Sequence, residues 1–226
     1  MNREATAATH ERRTLAIFIG LMVLVGLNLR PALSSLAPVL TRIQQDTGLS
    51  ALSIGALTTL PVLCLGLFAP MAPWLARRLG PERALAAGLG LLAGGLALRG
   101  LPTVPTLFLG TLMVGAAIGV AGTLLPALVK RELPAGADLM TGVYTMALCL
   151  GGALGAGLSI PLSEWLDGWH LGLASWAALA FLALAAWLAL APRRDETMLP
   201  GGGGSMRAVL GQPLAWQVML FMGLQS

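Results

Sequence analysis

The sequence predicts an all-helical integral membrane protein with six complete transmembrane helices and the beginning of a seventh. Only 11% of its 226 residues are charged and 56% are hydrophobic, whereas a soluble domain carries about a quarter charged residues. Its apolar runs repeatedly reach the roughly 20 residues that a helix needs to cross a bilayer. These runs are continuously apolar rather than alternating, which excludes a transmembrane β-barrel.

The spans are apolar runs bounded by charged and turn residues. They lie at 15–40, 53–76, 84–101, 106–129, 139–162 and 171–191, and a seventh begins near Leu214. The predicted organisation is a tail at 1–14, a six-helix bundle at 15–191, a flexible linker at 192–213 and a partial seventh helix at 214–226. The linker contains PGGGGSM, which is either a natural loop or an engineered insertion. The seventh span is too short to cross a bilayer, so we expect a longer protein.

Basic residues fall predominantly on one side of the predicted membrane. Eleven of the fourteen Lys and Arg residues lie in the tail, in two connections and after the sixth span. They are Arg3, Arg12, Arg13, Arg77, Arg78, Arg83, Lys130, Arg131, Arg193, Arg194 and Arg207. The opposite side carries only Arg42 and Arg99. Because cytoplasmic loops are enriched in Lys and Arg, the N-terminus is predicted to be cytoplasmic.

A short repeat connects the first and fourth spans. Residues 35–42 read SLAPVLTR and residues 123–130 read TLLPALVK, and the two share a leucine-proline-leucine spacing before a basic residue. The charge pattern places the ends of these two spans on opposite sides of the membrane. Two three-helix units of opposite topology are typical of secondary transporters.

Arg30 lies in the middle of the first predicted span and is followed by the helix-disrupting Pro31. About ten further residues at 1.5 Å each place it near the bilayer midplane, where a charge is costly. The six spans contain no Asp or Glu to pair with it. Three explanations stay open: a substrate contact in a central aqueous cavity, which we favour, a structural ion pair, or snorkelling to the headgroups. A guanidinium suits the first because it forms bidentate hydrogen bonds with small anions.

Four further side chains complete the candidate substrate site. Ser34 lies one helical turn after Arg30 on the same face, so the two could share a ligand. Asn28 lies about 200° round the helix and is better placed to contact a neighbouring helix. Thr59 in the second span bonds either a substrate or the carbonyls of its own helix. Tyr144, near the start of the fifth span, either lines the cavity or anchors at the membrane interface.

The remaining polar residues indicate no chemistry. Arg99 closes the third span, and we expect it to snorkel to the outer surface. His10 lies in the tail and His170 at the outer surface. The sequence has no nucleotide-binding glycine loop and no paired His or Cys spacing, so we expect no enzyme, no cofactor and no metal. The basic residues sit in short connections between apolar runs, which argues against a nucleic-acid partner.

The connection between the second and third spans, PWLARRLGPERAL, resembles the conserved loop of the major facilitator superfamily, whose pattern is Gly-x-x-x-Asp-Arg-x-Gly-Arg-Arg. Alignment on Gly80 keeps Arg78 in the basic position, and Arg77 stands where the family has its acidic residue. With Arg83, these residues form the candidate gating loop. The resemblance departs at Arg77, so the family's gating ion pair is not expected in its usual form.

Further stretches resemble the cyanate porter branch of that superfamily, which includes 2-nitroimidazole transporters. They are GLNLRPALSS at 26–35, LTTLPVL at 57–63, LPALVKRELP at 125–134, TGVYTMAL at 141–148 and FMGLQS at 221–226. The resemblance implies a twelve-helix transporter in a bacterial cytoplasmic membrane. This chain would be its amino-terminal half, a six-helix bundle with a 3+3 inverted repeat, and the carboxy-terminal half would be its partner.

The function that the resemblance implies is secondary active transport of a small anionic or polar solute such as cyanate, with Arg30 as the ligand contact. Protons are the candidate coupling ion, and a proton site would lie in the carboxy-terminal half. Two alternatives stay open. One is export of neutral heteroaromatic drugs such as nitroimidazoles, and the other is a six-helix membrane protein without transport activity.

Overall fold

The protein is helical throughout the part of the chain that the structure describes. The computed structural model describes residues 2–134 and 136–191, with side chains from Arg13 onward. Its elements are α1 (Asn2–Leu29), α2 (Pro31–Ser34), a 3-10 helix (Ala37–Val39), α3 (Leu40–Thr47), α4 (Ala51–Phe68), α5 (Met71–Leu79), α6 (Pro81–Leu98), α7 (Val104–Glu132), α8 (Ala137–Trp165) and α9 (Trp169–Leu190). The predicted linker at 192–213 and the partial seventh helix at 214–226 lie outside the described residues.

The predicted all-helical membrane fold is confirmed. Five described segments are long and apolar enough to cross a membrane, and they are Arg13–Thr47, Ala51–Phe68, Val104–Glu132, Ala137–Trp165 and Trp169–Leu190. The third predicted span is α6, whose first turn contains Glu82 and Arg83 and is therefore less apolar. Spans three to six agree with α6 to α9 to within three residues at each end.

The first span is broken at the predicted place. Helix α1 ends at Leu29 and α2 begins at Pro31, while Arg30 keeps right-handed helical dihedrals (φ −78°, ψ −40°). The break is therefore a kink rather than a loop. It arises because Pro31 has no backbone N–H and disfavours a continuing helix at the residue before it. Helix α1 begins at Asn2, inside the predicted tail, since that segment is rich in the helix formers Ala, Glu and Arg.

The second span is divided, and this corrects the predicted gating loop. Helix α4 ends at Phe68, and Arg77 and Arg78 lie in the last turn of the separate helix α5. Arg83 lies in the first turn of α6. Only Gly80 stands between α5 and α6, with φ +80°, a conformation that a residue without Cβ adopts without strain. The predicted loop is thus two helix ends joined by one glycine.

Helix α7 lies at the centre of the bundle. It packs most extensively against α6 and α4, while α6 also packs against α9, and α1 and α2 pack against α8. The main core contains fully buried side chains from three of these helices, among them Met22, Leu89, Leu92, Leu124 and Leu125. A second, smaller core contains Leu36, Val39, Ile43, Leu57, Leu107, Trp169 and Leu173, and it buries the segment that follows the break in the first span.

Candidate functional site

Arg30 presents its side chain outside the core of the bundle. The residue is exposed, whereas Leu29, Pro31 and Ala32 beside it are buried. Its guanidinium makes no hydrogen bond or ion pair with any described residue. A Cβ added at Gly152 of α8 would lie 3.7 Å from the Cβ of Arg30. Arg30 therefore stands beside the glycine face of α8, with its charge free to meet a ligand or another part of the protein.

Ser34 is the one other candidate that the structure brings next to Arg30. Its hydroxyl donates a hydrogen bond to the carbonyl oxygen of Arg30 at 3.1 Å. The backbone amides of Leu33 and Ser34 donate to the same oxygen at 3.0 Å. The hydroxyl of Ser34 also lies against Gly155 of α8. Ser34 thus fixes the backbone of Arg30, and the pair shares the face that the sequence predicted.

Glycines of α8 allow the break to approach closely. A Cβ added at Gly155 would lie 2.7 Å from the Cα of Pro31, and one added at Gly151 would lie 3.1 Å from the Cδ of Pro31. The carbonyl oxygen of Leu27, which has lost its helical donor because Pro31 lacks an N–H, also lies against Gly151. Close helix approach of this kind depends on small residues. The segment that contains Arg30 is therefore packed closely against α8 through Leu27 and Pro31.

The other predicted substrate residues do not join Arg30. Asn28 is only 2% exposed and donates to the carbonyl of Leu24 in its own helix at 3.0 Å. In this conformation Asn28 is therefore buried on another side of the helix from the exposed Arg30. Thr59 is exposed and donates to Gly55 at 2.9 Å, so it bonds its own helix. Tyr144 is 8% exposed and belongs to the main core.

Arg99 contradicts the expectation that it snorkels to the outer surface. It is completely buried, and its Nη1 donates a hydrogen bond to the carbonyl oxygen of Ala32 at 2.8 Å. Its Nε and Nη2 have no hydrogen-bond partner among the described residues, and neither has the hydroxyl of the buried Ser35. The span prediction placed Arg99 in the headgroups, whereas α6 ends behind α2 inside the bundle. Arg99 is the functional candidate that sequence reasoning missed.

The sequence contained only an indirect signal for Arg99. A helix broken by proline leaves carbonyl groups without their usual amide donors, and buried carbonyls nearly always find partners. Pro31 itself frees the carbonyl of Leu27, whereas Arg99 bonds the carbonyl of Ala32, so the proline marks the interrupted segment but not this contact. Arg99 is one of only two basic residues predicted on the outer side, and the other, Arg42, bonds to Ser163 at 2.8 Å and to Glu164 at the end of α8.

The opposite end of the bundle is held by an ion-pair cluster. Arg131 at the end of α7 pairs with Glu82 at the start of α6 and with Glu132 at 2.8 Å. Trp187 of α9 donates its indole N–H to the backbone carbonyl of Glu82 at 3.0 Å. Glu82 stands five residues beyond Arg77, the position at which the family pattern has its acid. The cluster therefore ties three helices together through an acid that the gating-loop alignment overlooked.

The gating-loop arginines take no part in this cluster. Arg77, Arg78 and Arg83 are exposed, and the guanidinium carbon of Arg78 lies 4.7 Å from the ring centroid of Trp74. That distance is typical of a cation–π contact. The group presents positive charge beside an exposed aromatic ring, which suits the polar boundary of a membrane. No described acid pairs with these three arginines.

Membrane-length helices, a proline-broken first span and an unpaired arginine beside it define a multi-pass membrane protein. The sequence profile of the Major Facilitator Superfamily matches residues 12–226, which is most of the chain. The chain therefore belongs to the Major Facilitator Superfamily. The resemblance noted in the sequence is thereby confirmed.

Three curated relatives match nearly the whole chain. The uncharacterized transporter YycB of Bacillus subtilis is 35% identical over 91% of this chain and 51% of its own length. The 2-nitroimidazole transporter of Escherichia coli is 35% identical over 93% of this chain and 54% of its own length. The cyanate transport protein CynX of Escherichia coli is 34% identical over 90% of this chain and 53% of its own length. The chain thus spans about half the length of the curated relatives it matches, and the names of all three are those of transporters, not enzymes.

A solved structure supports the fold independently. A mutant of the peptide transporter POT in complex with sulfate superposes with a TM-score of 0.69 and 19% sequence identity. The match covers 91% of this chain and 45% of that one. At this identity the likeness shows the fold alone.

Proposed function

We propose that this chain is the amino-terminal half of a secondary active transporter that moves a small anionic or polar solute, cyanate-like in size and charge, by alternating access. The observation that carries the proposal is the exposed, unpaired guanidinium of Arg30 at the break of a membrane span. A charge at that depth is costly unless it meets a partner or water. A small anion that enters a cavity between two halves of the protein is such a partner.

Several features of the proposal follow the sequence rather than the structure. The N-terminus is cytoplasmic because the basic residues cluster on one side. The membrane is the bacterial inner membrane because the curated relatives are bacterial transporters. A second six-helix half completes the cavity and contains the site for a coupling proton. Within this half, Arg30 binds the ligand, and Ser34 supports the backbone of Arg30. Thr59 and Tyr144 would contact the ligand only after a conformational change. The exposed arginines around Gly80 form the gating element.

A second function is favoured by one comparison. The 2-nitroimidazole transporter is as similar to this chain as the other relatives, at 35% identity. Export of a neutral heteroaromatic solute would use Arg30 as a hydrogen-bond donor rather than as a counter-charge. The two functions differ in how strongly they depend on the positive charge at position 30.

The test uses the complete protein in proteoliposomes, with labelled cyanate and a labelled neutral nitroimidazole as probes. Arg30→Gln removes the charge and keeps a polar side chain, whereas Arg42→Gln serves as a control arginine in the same span. We expect Arg30→Gln to lower cyanate uptake at least about tenfold, as the loss of one charge-assisted contact implies. Arg42→Gln should transport normally.

The outcomes separate the alternatives. Loss of cyanate uptake with an unchanged melting temperature supports the anion transporter. Nitroimidazole transport that survives Arg30→Gln, in a protein that never transports cyanate, supports the neutral exporter instead. Unchanged transport of both probes, together with a lower melting temperature, would show that Arg30 is a structural residue and would overturn the proposal.

A further inference from the structure

The carbonyl oxygen of Ala32 has no backbone donor among the described residues, because α2 ends at Ser34. In a continuous helix it would accept a hydrogen bond from the amide of Leu36, four residues later. Here that amide turns instead toward the carbonyl of Leu33, at 3.5 Å. Arg99 supplies the replacement donor, with its Nη1 2.8 Å from the Ala32 oxygen. A side chain from the end of α6 thus takes the place of the missing helical bond.

Arg99 and Arg30 lie on opposite sides of the same short segment. Ala32 is 0% exposed and Arg30 is exposed, and residues two apart in a helix point about 200° away from each other. We propose that Arg99 is a positioning residue for the ligand-binding Arg30. It holds the buried side of the broken segment in place, and thereby fixes the direction in which Arg30 leaves it. This inference rests on the proposed role of Arg30.

Burial makes Arg99 an unfavourable choice for a purely structural role. It is 0% exposed, two of its nitrogen atoms lack partners, and no acid of the described chain pairs with it. A buried charge without a partner destabilises a protein, and apolar residues of similar size often replace buried ions without loss of stability. A methionine would fill the site and pack well. A raised KM in a methionine variant of normal stability would therefore report a loss of positioning rather than a loss of packing.

The neighbouring helix leaves room for this side chain. A Cβ added at Gly110 of α7 would lie 3.0 Å from the Cγ of Arg99 and 2.6 Å from the carbonyl oxygen of Gly95. Gly110 thus permits both the close crossing of α6 and α7 and the path of the Arg99 side chain toward Ala32. The Arg99 side chain is thus fully buried, and it extends from α6 past Gly110 of α7 to the carbonyl of Ala32 in α2.

The experiment compares Arg99→Met, Arg99→Lys and the control Arg42→Met in the complete protein. Arg42 is a suitable control because it also joins the first span to another helix, through Ser163 and Glu164, but at a distance from the break. Three quantities are measured: the melting temperature, the KM and maximal rate for labelled cyanate, and hydrogen exchange of the peptide that covers residues 30–39.

Arg99→Met is expected to keep or raise the melting temperature while it raises the KM for cyanate about tenfold, because a small misplacement of a binding group is costly. Exchange at residues 30–39 should rise, and the rest of the protein should be unaffected. Arg99→Lys retains a charge and a donor and should restore most of the affinity. Arg42→Met should leave the KM and the exchange at residues 30–39 unchanged and should alter the melting temperature only slightly.

Two results would overturn the inference. One is a fall in the melting temperature with an unchanged KM, which would make Arg99 a structural tie. The other is a Lys variant of normal stability that binds cyanate no better than the Met variant. If the Met variant does not insert, the Lys variant carries the test alone, with its KM expected within about threefold of wild type.

Failure of the proposed function gives a different result. If Arg30→Gln transports cyanate normally, Arg30 is not the ligand contact, whatever the Arg99 variants do. The exchange measurement at residues 30–39 then still decides whether Arg99 holds the broken segment, because it requires neither a ligand nor transport. If hydrogen exchange at residues 30–39 rises in the Arg99→Met variant while Arg30→Gln transports cyanate normally, the role of Arg99 is only to hold the broken segment.

Discussion

Replacement of Gly155 by alanine tests whether the contact between the broken first span and α8 positions Arg30. The added methyl group would lie 2.7 Å from the Cα of Pro31 and 3.2 Å from its Cβ, and it would also meet the hydroxyl of Ser34. Ordinary contacts of a Cβ begin at about 3.4 Å. Because backbone atoms oppose the methyl group, a side-chain rotation cannot relieve the overlap, and the segment must move by roughly 0.7 Å.

The expected cost has two parts. Overpacking of this kind destabilises a protein by about 1–3 kcal/mol, and for a chain of this size each kcal/mol corresponds to a fall of about 2–4 °C in the melting temperature. The second part is functional, since the movement falls on the residue after Arg30. A displacement of about 1 Å in a binding group can reduce a rate by roughly a hundredfold. We therefore expect transport to fall by more than the loss of stability explains.

The assay is labelled cyanate uptake by the complete protein in proteoliposomes, corrected for the amount of inserted protein, with melting temperatures measured in detergent. Gly157→Ala is the matched control, because a Cβ at Gly157 would meet nothing within 4 Å. Both variants make the same change in helix propensity within the same helix. Normal uptake and normal stability of Gly155→Ala would refute the claim that this contact sets the position of Arg30.

Two further substitutions test other parts of the structure. Arg131→Met should lower the melting temperature clearly, because it leaves Glu82 unpaired in a site where the side chain is only 21% exposed. Arg42→Met removes an ion pair whose side chains are 40% and 61% exposed, so the free energy of unfolding should fall by at most about 1 kcal/mol. Equal losses of stability in the two variants would contradict the view that the Arg131 cluster is the stronger of the two. Asn28→Leu should leave the KM for cyanate unchanged in uptake measurements, because Asn28 is buried and bonds Leu24 of its own helix. A raised KM would show that Asn28 contributes to the substrate site.

The sequence was sufficient to predict the helices and the break at Arg30. Span lengths follow from bilayer thickness, and the kink follows from the missing N–H of Pro31, so both depend on local chemistry. The position of Ser34 beside Arg30 was predictable for the same reason, because residues four apart share a helix face. These properties are encoded within one segment and need no knowledge of its neighbours.

The rest of the site depends on how segments meet. The hydropathy pattern identified where α6 ends but gave no information that this end lies behind α2, so Arg99 was placed in the headgroups instead of in the core. Likewise, the alignment of the gating loop by sequence pattern drew attention to Arg77. The acid that forms the ion pair is Glu82, because α5 continues as a helix through Arg78 and turns only at Gly80.

Arg30 and Arg99 show why charge in a membrane span must be interpreted together with backbone hydrogen bonding. Each is an arginine beside an apolar run, and hydropathy alone gives no reason to assign them different roles. The short segment after the break separates them, since Arg99 bonds the carbonyl of Ala32, which has lost the amide of Leu36, whereas Arg30 is exposed. A released carbonyl needs a donor, and a guanidinium has five N–H groups in a fixed plane. The same short segment therefore exposes one arginine and accepts a hydrogen bond from the other.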